Sequence, residues 1–138
     1  MSRIPLAIRV FVARRAHNRC EYCRSSEECT GQSFTVDHIV AEFQGGSDST
    51  DNLGWCCFWC NAFKQARREA VDPVTSQLVP LFHPRTDRWA DHFRWSRGAL
   101  TILGRTPIGR ATIDALRLNR PPLIRGRRVW VQQGKHPR

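Results

Sequence analysis

Residues 20–64 read CEYCRSSEECTGQSFTVDHIVAEFQGGSDSTDNLGWCCFWCNAFK. The segment opens and nearly closes on a CxxC pair, Cys20 with Cys23 and Cys57 with Cys60. Each pair turns two thiolates toward one point, and two pairs complete a tetrahedron around zinc. A small core with long loops gains directly from such a clip. A redox CxxC is the competing reading, but it has no need of a second pair at this distance. Four protein ligands leave no open coordination position, so this Zn²⁺ is expected to brace the fold and not to catalyse. Two of the six cysteines remain. Cys56 would make a CxxxC with Cys60 and is read as packing or a free thiol. Cys29 lies in the polar loop and is a weaker alternative ligand.

Around these pairs the pattern predicts a small α+β unit. Residues 34–40 are rich in β-favouring types and read as a strand. Gln44-Gly45-Gly46-Ser47 reads as a turn, and 51–55 as a tight connection into a second extended segment. Residues 61–70 have helical composition, ended by Pro73. Residues 20–33 show no clean period and read as knuckle and loop. The order strand, loop, strand, helix is a ββα unit.

That unit brings together residues suited to phosphodiester hydrolysis. The reaction needs a base for water and a cation for the developing charge. His38 suits the first task because imidazole titrates near neutrality. Asp37 suits the holding of a hard divalent cation such as Mg²⁺, and Asn61 supplies a second oxygen donor. Asn52, between the strands, either ties down the loop or orients His38. Lys64, three residues beyond Asn61, is expected to meet phosphate, with Arg67 and Arg68 continuing the basic surface. Singly these residues are more often structural; an Asn after a CxxC is often a helix cap. The conjunction is the signal.

Outward from this segment the chain is short and basic. Its 138 residues suit one domain. Twenty-two basic against twelve acidic side chains leave a formal charge of +10, which favours a polyanionic partner such as nucleic acid. Arg3, Arg9, Arg14, Arg15 and Arg19 crowd the first twenty positions without an acid, and the chain from Arg117 onward is likewise acid-free. Both ends are candidates for phosphate contact. Ile8, Phe11, Val12 and Ala16 recur at helical spacing, so 5–17 reads as a helix with its stripe packed in the core. Beyond Pro73, residues 112–118 read as a short helix and 129–131 as a last strand. Trp89, His92, Phe93 and Trp95 are expected to pack, most simply on the back of the small core. The organisation favoured is one domain over 1–138: an N-terminal helix (1–19), a zinc-braced core (20–72) and a C-terminal extension (73–138) packing on it. A boundary near 72 is the alternative. No stretch has the length of a membrane span, and the start lacks the uninterrupted apolar run and cleavage site of a secretory signal. Cytoplasm is the expected compartment, where cysteines more often bind metal than form disulfides.

The motif CEYC followed by TVDHIVAEFQGGSDSTDNLGWCCFWCNAFK resembles the HNH endonucleases, and the stretches DPVTSQLVPLFHPRTDRWADHFRWS and TPIGRATIDALRLNRP resemble small stand-alone bacterial and cyanobacterial members. The resemblance implies a ββα-metal (His-Me finger) fold and cleavage of nucleic acid with one divalent cation. It implies His38 as general base, Asp37 as metal-binding carboxylate, Asn52 as the central Asn holding the loop, and Asn61 as the final metal-binding position. It implies Cys20, Cys23, Cys57 and Cys60 as ligands of a structural zinc. Three departures stand out. Ala41 replaces a common proline, Gln44 replaces a frequent lysine, and Glu42 adds a carboxylate that either helps hold metal or faces solvent. The expected function is that of an endonuclease hydrolysing DNA, probed with Mg²⁺, Mn²⁺ or Ni²⁺. The expected substrate is double-stranded, held by Lys64, Arg67, Arg14 and Arg15, and the enzyme is a monomer or homodimer. The alternative is a zinc-stabilised DNA-binding module without catalysis.

Overall fold

Pro5 stands at the N-cap of α1 (Leu6–Arg15), and Arg14 and Arg15 fall in its last turn, where cations meet unpaired carbonyls. The computed structural model describes residues 4–138; Arg3 lies outside them. The apolar stripe of α1 is only partly core: Val12 and Ala16 are buried, while Phe11, Val10 and Leu6 are exposed. The chain then turns through a knuckle in which Cys20 N donates to Ser25 O at 2.9 Å and Arg24 takes a φ of 66°. A short helix follows, α2 (Glu27–Thr30), capped by Ser26, whose Oγ accepts Cys29 N at 3.0 Å. The sequence reading gives loop here. Ser26 before two glutamates is the cap signal that reading passes over.

Strands β1 (Thr35–His38) and β2 (Leu53–Cys56) pair antiparallel, with Asp37 opposite Gly54 and His38 opposite Leu53. Two 3₁₀ turns, Glu42–Gln44 and Thr50–Asn52, carry the connection between them. Helix α3 (Phe58–Lys64) starts at Cys57, whose Sγ accepts Cys60 N at 3.4 Å. The helix expected over 61–70 therefore begins earlier and ends at Lys64. Gln65 leaves it at φ 53°, and the Arg67 guanidinium bonds the carbonyls of Phe63 and Lys64. Those last carbonyls are satisfied without further helix, so local propensity loses to capping.

The fold has two compact units: the residues up to Arg68 with His83–Thr86, and Glu69–Phe82 with Asp87–Arg138. The second contains β3 (Glu69–Val71) paired with β4 (Leu78–Pro80), a short α4 (Trp89–His92), β5 (Phe93–Trp95) paired with β6 (Ile102–Gly104), α5 (Pro107–Leu116) and α6 (Pro121–Gln132). Trp89 and Phe82 pack against the buried Phe93 at ring distances of 5.1 and 5.3 Å, so the aromatic residues build a core of this unit. The helix expected over 112–118 starts at Pro107, behind a Thr106 cap. The strand expected at 129–131 is instead helical, inside α6. Pro121 and Pro122 suit a first helical turn, and Leu123 and Arg127, four apart, share its buried face.

Asp72 organises the β3–β4 turn. Its carboxylate accepts Val74 N and Thr75 Oγ1 and takes both guanidinium bonds of Arg110, at 3.0 and 2.9 Å. Those Arg110 bonds hold its carboxyl far below the ordinary value of 3.8. A depressed carboxyl stabilises the fold above its unfolded pKa and loses that contribution as pH falls through the folded one. Asp72→Asn is therefore expected to lower the melting temperature at neutral pH. The gap to the native chain should narrow as pH falls below about 4. Melting curves across pH test this, and a gap that widens in acid contradicts it.

Candidate functional site

The cluster of four sulfurs is built from two knuckles. Cys20 and Cys23 lie on the turn after α1, and Cys57 and Cys60 on the entry to α3. All four are buried and their Sγ atoms lie within 4.8 Å of one another. Two bonds fasten the first knuckle to β2: Glu21 accepts Trp55 N at 2.9 Å, and Glu27 accepts Trp55 Nε1 at 2.8 Å. Burial pushes the Cys20 thiol well up. Hydrogen bonding with Cys20 pushes Cys57 and Cys60 up and pulls Cys23 well down. The proton on each sulfur thus depends on its neighbours in the cluster. A dication is what lets four sulfurs be deprotonated together, so the donor set fits a structural zinc. Cys56 is buried on β2 and Cys29 half-buried on α2; neither belongs to this group.

Strand alternation separates the two residues of the Asp37-His38 pair. Asp37 faces inward and is 5% exposed; the His38 side chain is 19% exposed. Asp37 Oδ2 accepts the Tyr22 hydroxyl at 3.1 Å and lies 3.2 Å from Lys64 Nζ. Burial pushes its carboxyl up, and the Lys64 ammonium opposes that without cancelling it. Burial likewise keeps Tyr22 a phenol, a donor to Asp37.

The expected contact of Lys64 with phosphate is corrected by this geometry. Lys64 is 2% exposed and shares the buried face of α3 with Cys60, four residues before it, not a surface with Asn61. Its ammonium serves Asp37 and the carbonyl of Ile39. Arg15 is also turned inward, donating to Thr50 O at 3.1 Å and Leu53 O at 2.7 Å, where it links α1 to the strand connection. Arg14 and Arg67 are exposed. Removing one member of a buried ion pair strands the other, at a cost of roughly 3–5 kcal/mol. Lys64→Met is expected to lose stability of that order in denaturant titration, and adding Asp37→Asn to restore part of it. A neutral Lys64→Met would show the pair to be irrelevant to folding.

Asn52 closes the connection. Its Oδ1 accepts Val40 N at 2.9 Å, and its Nδ2 donates to Val40 O at 2.9 Å and Ser47 O at 2.8 Å. Those bonds tie the loop; none of them reaches His38. Asn61 sits on α3 one residue past Cys60, and Cys57, not Asn61, is the cap. The Asn61 side chain makes no hydrogen bond among the described residues. The partner of His38 is one that sequence reasoning missed: His38 Nε2 lies 2.8 Å from Asp48 Oδ1, with Glu42 Oε1 at 3.6 Å. His38, Glu42 and Asp48 form a second group of metal-capable side chains. No sequence spacing announces Asp48, because only the folded loop returns it to the strand. Tyr22 was missed too, hidden as the x of a CxxC.

Residues 20–67 match the family model described as HNH endonuclease, entirely within the first compact unit. This segment is an HNH endonuclease domain. No curated protein and no solved structure matches the chain. The HNH domain is a mixed α/β core with a four-cysteine cluster, and its family and metal-capable groups support nuclease activity. Among the described residues no helix is long and apolar enough to cross a membrane.

Proposed function

We propose that the chain is a metal-dependent endonuclease that hydrolyses DNA phosphodiester bonds, with His38 as the base that activates water. The observation that carries this reading is the partly exposed imidazole of His38 on β1, within the segment that matches the HNH family. An imidazole with one nitrogen held by a carboxylate has its other nitrogen available for a proton. The zinc cluster supports the chemistry through position: a displacement of about 1 Å can cost roughly a hundredfold in rate. The net charge of +10 suits a DNA backbone, and the exposed Arg14 is a candidate to meet it; Arg67 is exposed too, though its guanidinium is engaged with the carbonyls of Phe63 and Lys64. Four reduced thiolates suit the cytoplasm.

Asp37 and Asn61 offer the oxygen donors that a hard cation such as Mg²⁺ prefers. Such a cation, when bound, would stabilise charge on the phosphate. At Asp37 it would compete with the Lys64 ammonium for the same carboxylate. That pairing is also what favours the second reading, a zinc-stabilised DNA-binding module without catalysis. Incubation of the chain with supercoiled plasmid in Mg²⁺, Mn²⁺ or Ni²⁺ separates the two. Nicked or linear product supports the nuclease; retained binding with intact plasmid under all three metals supports the module.

A further inference from the structure

We propose that Asp48 is a positioning residue for His38, fixing which ring nitrogen acts as the base; this rests on the nuclease reading above. An ionised carboxylate only accepts hydrogen bonds. The 2.8 Å contact therefore places the ring proton of neutral His38 on Nε2, donated to Asp48 Oδ1, and leaves the lone pair on Nδ1. Glu42 Oε1, at 3.6 Å, is beyond hydrogen-bonding reach, but its charge favours the same arrangement.

The Asp48 side chain is 50% exposed, and an exposed contact of this kind would ordinarily wander. Here the loop is closed upon itself. Asn52 grips Val40 at both its N–H and its carbonyl, and Ser47 at its carbonyl, one residue before Asp48. Gly46 permits that closure: a Cβ there would fall 1.7 Å from Val40 O and 2.9 Å from Asn52 Nδ2. On the far side, Ser47 Oγ accepts Ser49 N at 3.2 Å and Ser49 Oγ accepts Asp51 N at 3.3 Å. Asp48 is thus held between two anchored residues, facing the strand end that carries His38. The Asn52 clamp and Asp48 act in series, the first setting the loop and the second the imidazole.

The test uses the full chain with Asp48→Ala, Asp48→Glu and His38→Ala. Nitrogen-15 NMR of histidine-labelled protein, without added divalent metal, reads the tautomer; the His38 signals are those missing from His38→Ala. The native chain should show His38 protonated on Nε2, Asp48→Ala a mixture of both tautomers, and Asp48→Glu the native form. In plasmid cleavage, Asp48→Ala should lower kcat by about 10-fold with KM unchanged, and Asp48→Glu should recover most of it. That loss is far smaller than the roughly 10⁴-fold for a buried orienting carboxylate, because Asp48 is half in solvent. A His38 tautomer identical in native and Asp48→Ala protein overturns the positioning role even where the native chain cuts DNA. A native chain that cuts nothing removes the nuclease reading, while the tautomer result still decides whether Asp48 sets the ring.

Discussion

His38→Ala should reduce plasmid cleavage by roughly 10²–10⁴-fold, the contribution of a positioned general base. The substitution removes a side chain only 19% exposed, held by Asp48 at 2.8 Å, and touches neither the sulfur cluster nor the Asp37–Lys64 pair. Its fold should therefore survive, with native metal content and an unchanged far-ultraviolet circular dichroism spectrum. DNA affinity should change little, since the substitution leaves the net positive charge of the chain in place. Loss of kcat at constant binding is the signature of a group acting in the transition state. Equal cutting by native and His38→Ala protein would show that another group activates the water.

Stripping zinc should unfold the HNH domain. Structural zinc binds with an apparent free energy of about 10–16 kcal/mol in small zinc-dependent folds, as large as the whole stability of an ordinary domain, roughly 5–15 kcal/mol. The cluster joins elements far apart in the chain: the knuckle after α1 and the entry to α3. Without the cation, Cys20, Cys57 and Cys60 are pushed toward the protonated thiol beside Cys23, and the cluster loses the bonds that join its two knuckles. Cys20→Ser or prolonged chelation should therefore collapse the thermal transition of this domain and abolish cleavage together. Metal analysis of the native protein should return one zinc per chain. Protein purified without zinc yet fully folded and stable would remove the brace from the account. Cys56→Ala, by contrast, should leave zinc content unchanged, since Cys56 is outside the four-sulfur group.

The sequence by itself determined the HNH domain. Two CxxC pairs, a short β-rich run ending in Asp37-His38, and Asn61 after the second pair carry their meaning in local spacing, which a linear reading can see. It also placed Asn52 between the strands, though not which of its two offered tasks it performs. Tertiary structure decided which charges are usable. Lys64 looks like a surface cation in sequence, yet helix phase puts it on the face of Cys60, and Asp37 waits there to neutralise it. Arg15 looks like part of a basic end, but two backbone carbonyls claim it. Residues 129–131 have strand composition and sit in a helix, because burial of Leu123 and Arg127 outweighs β-propensity. Asp48 is invisible until the loop closes. Its contact with His38 depends on Asn52 and Gly46 holding the loop shut, and a hydrogen bond across ten residues of loop has no periodic signal to announce it. Spacing along the chain determines which chemistry is present; which groups face one another, and which are neutralised by burial, is a property of three-dimensional packing alone.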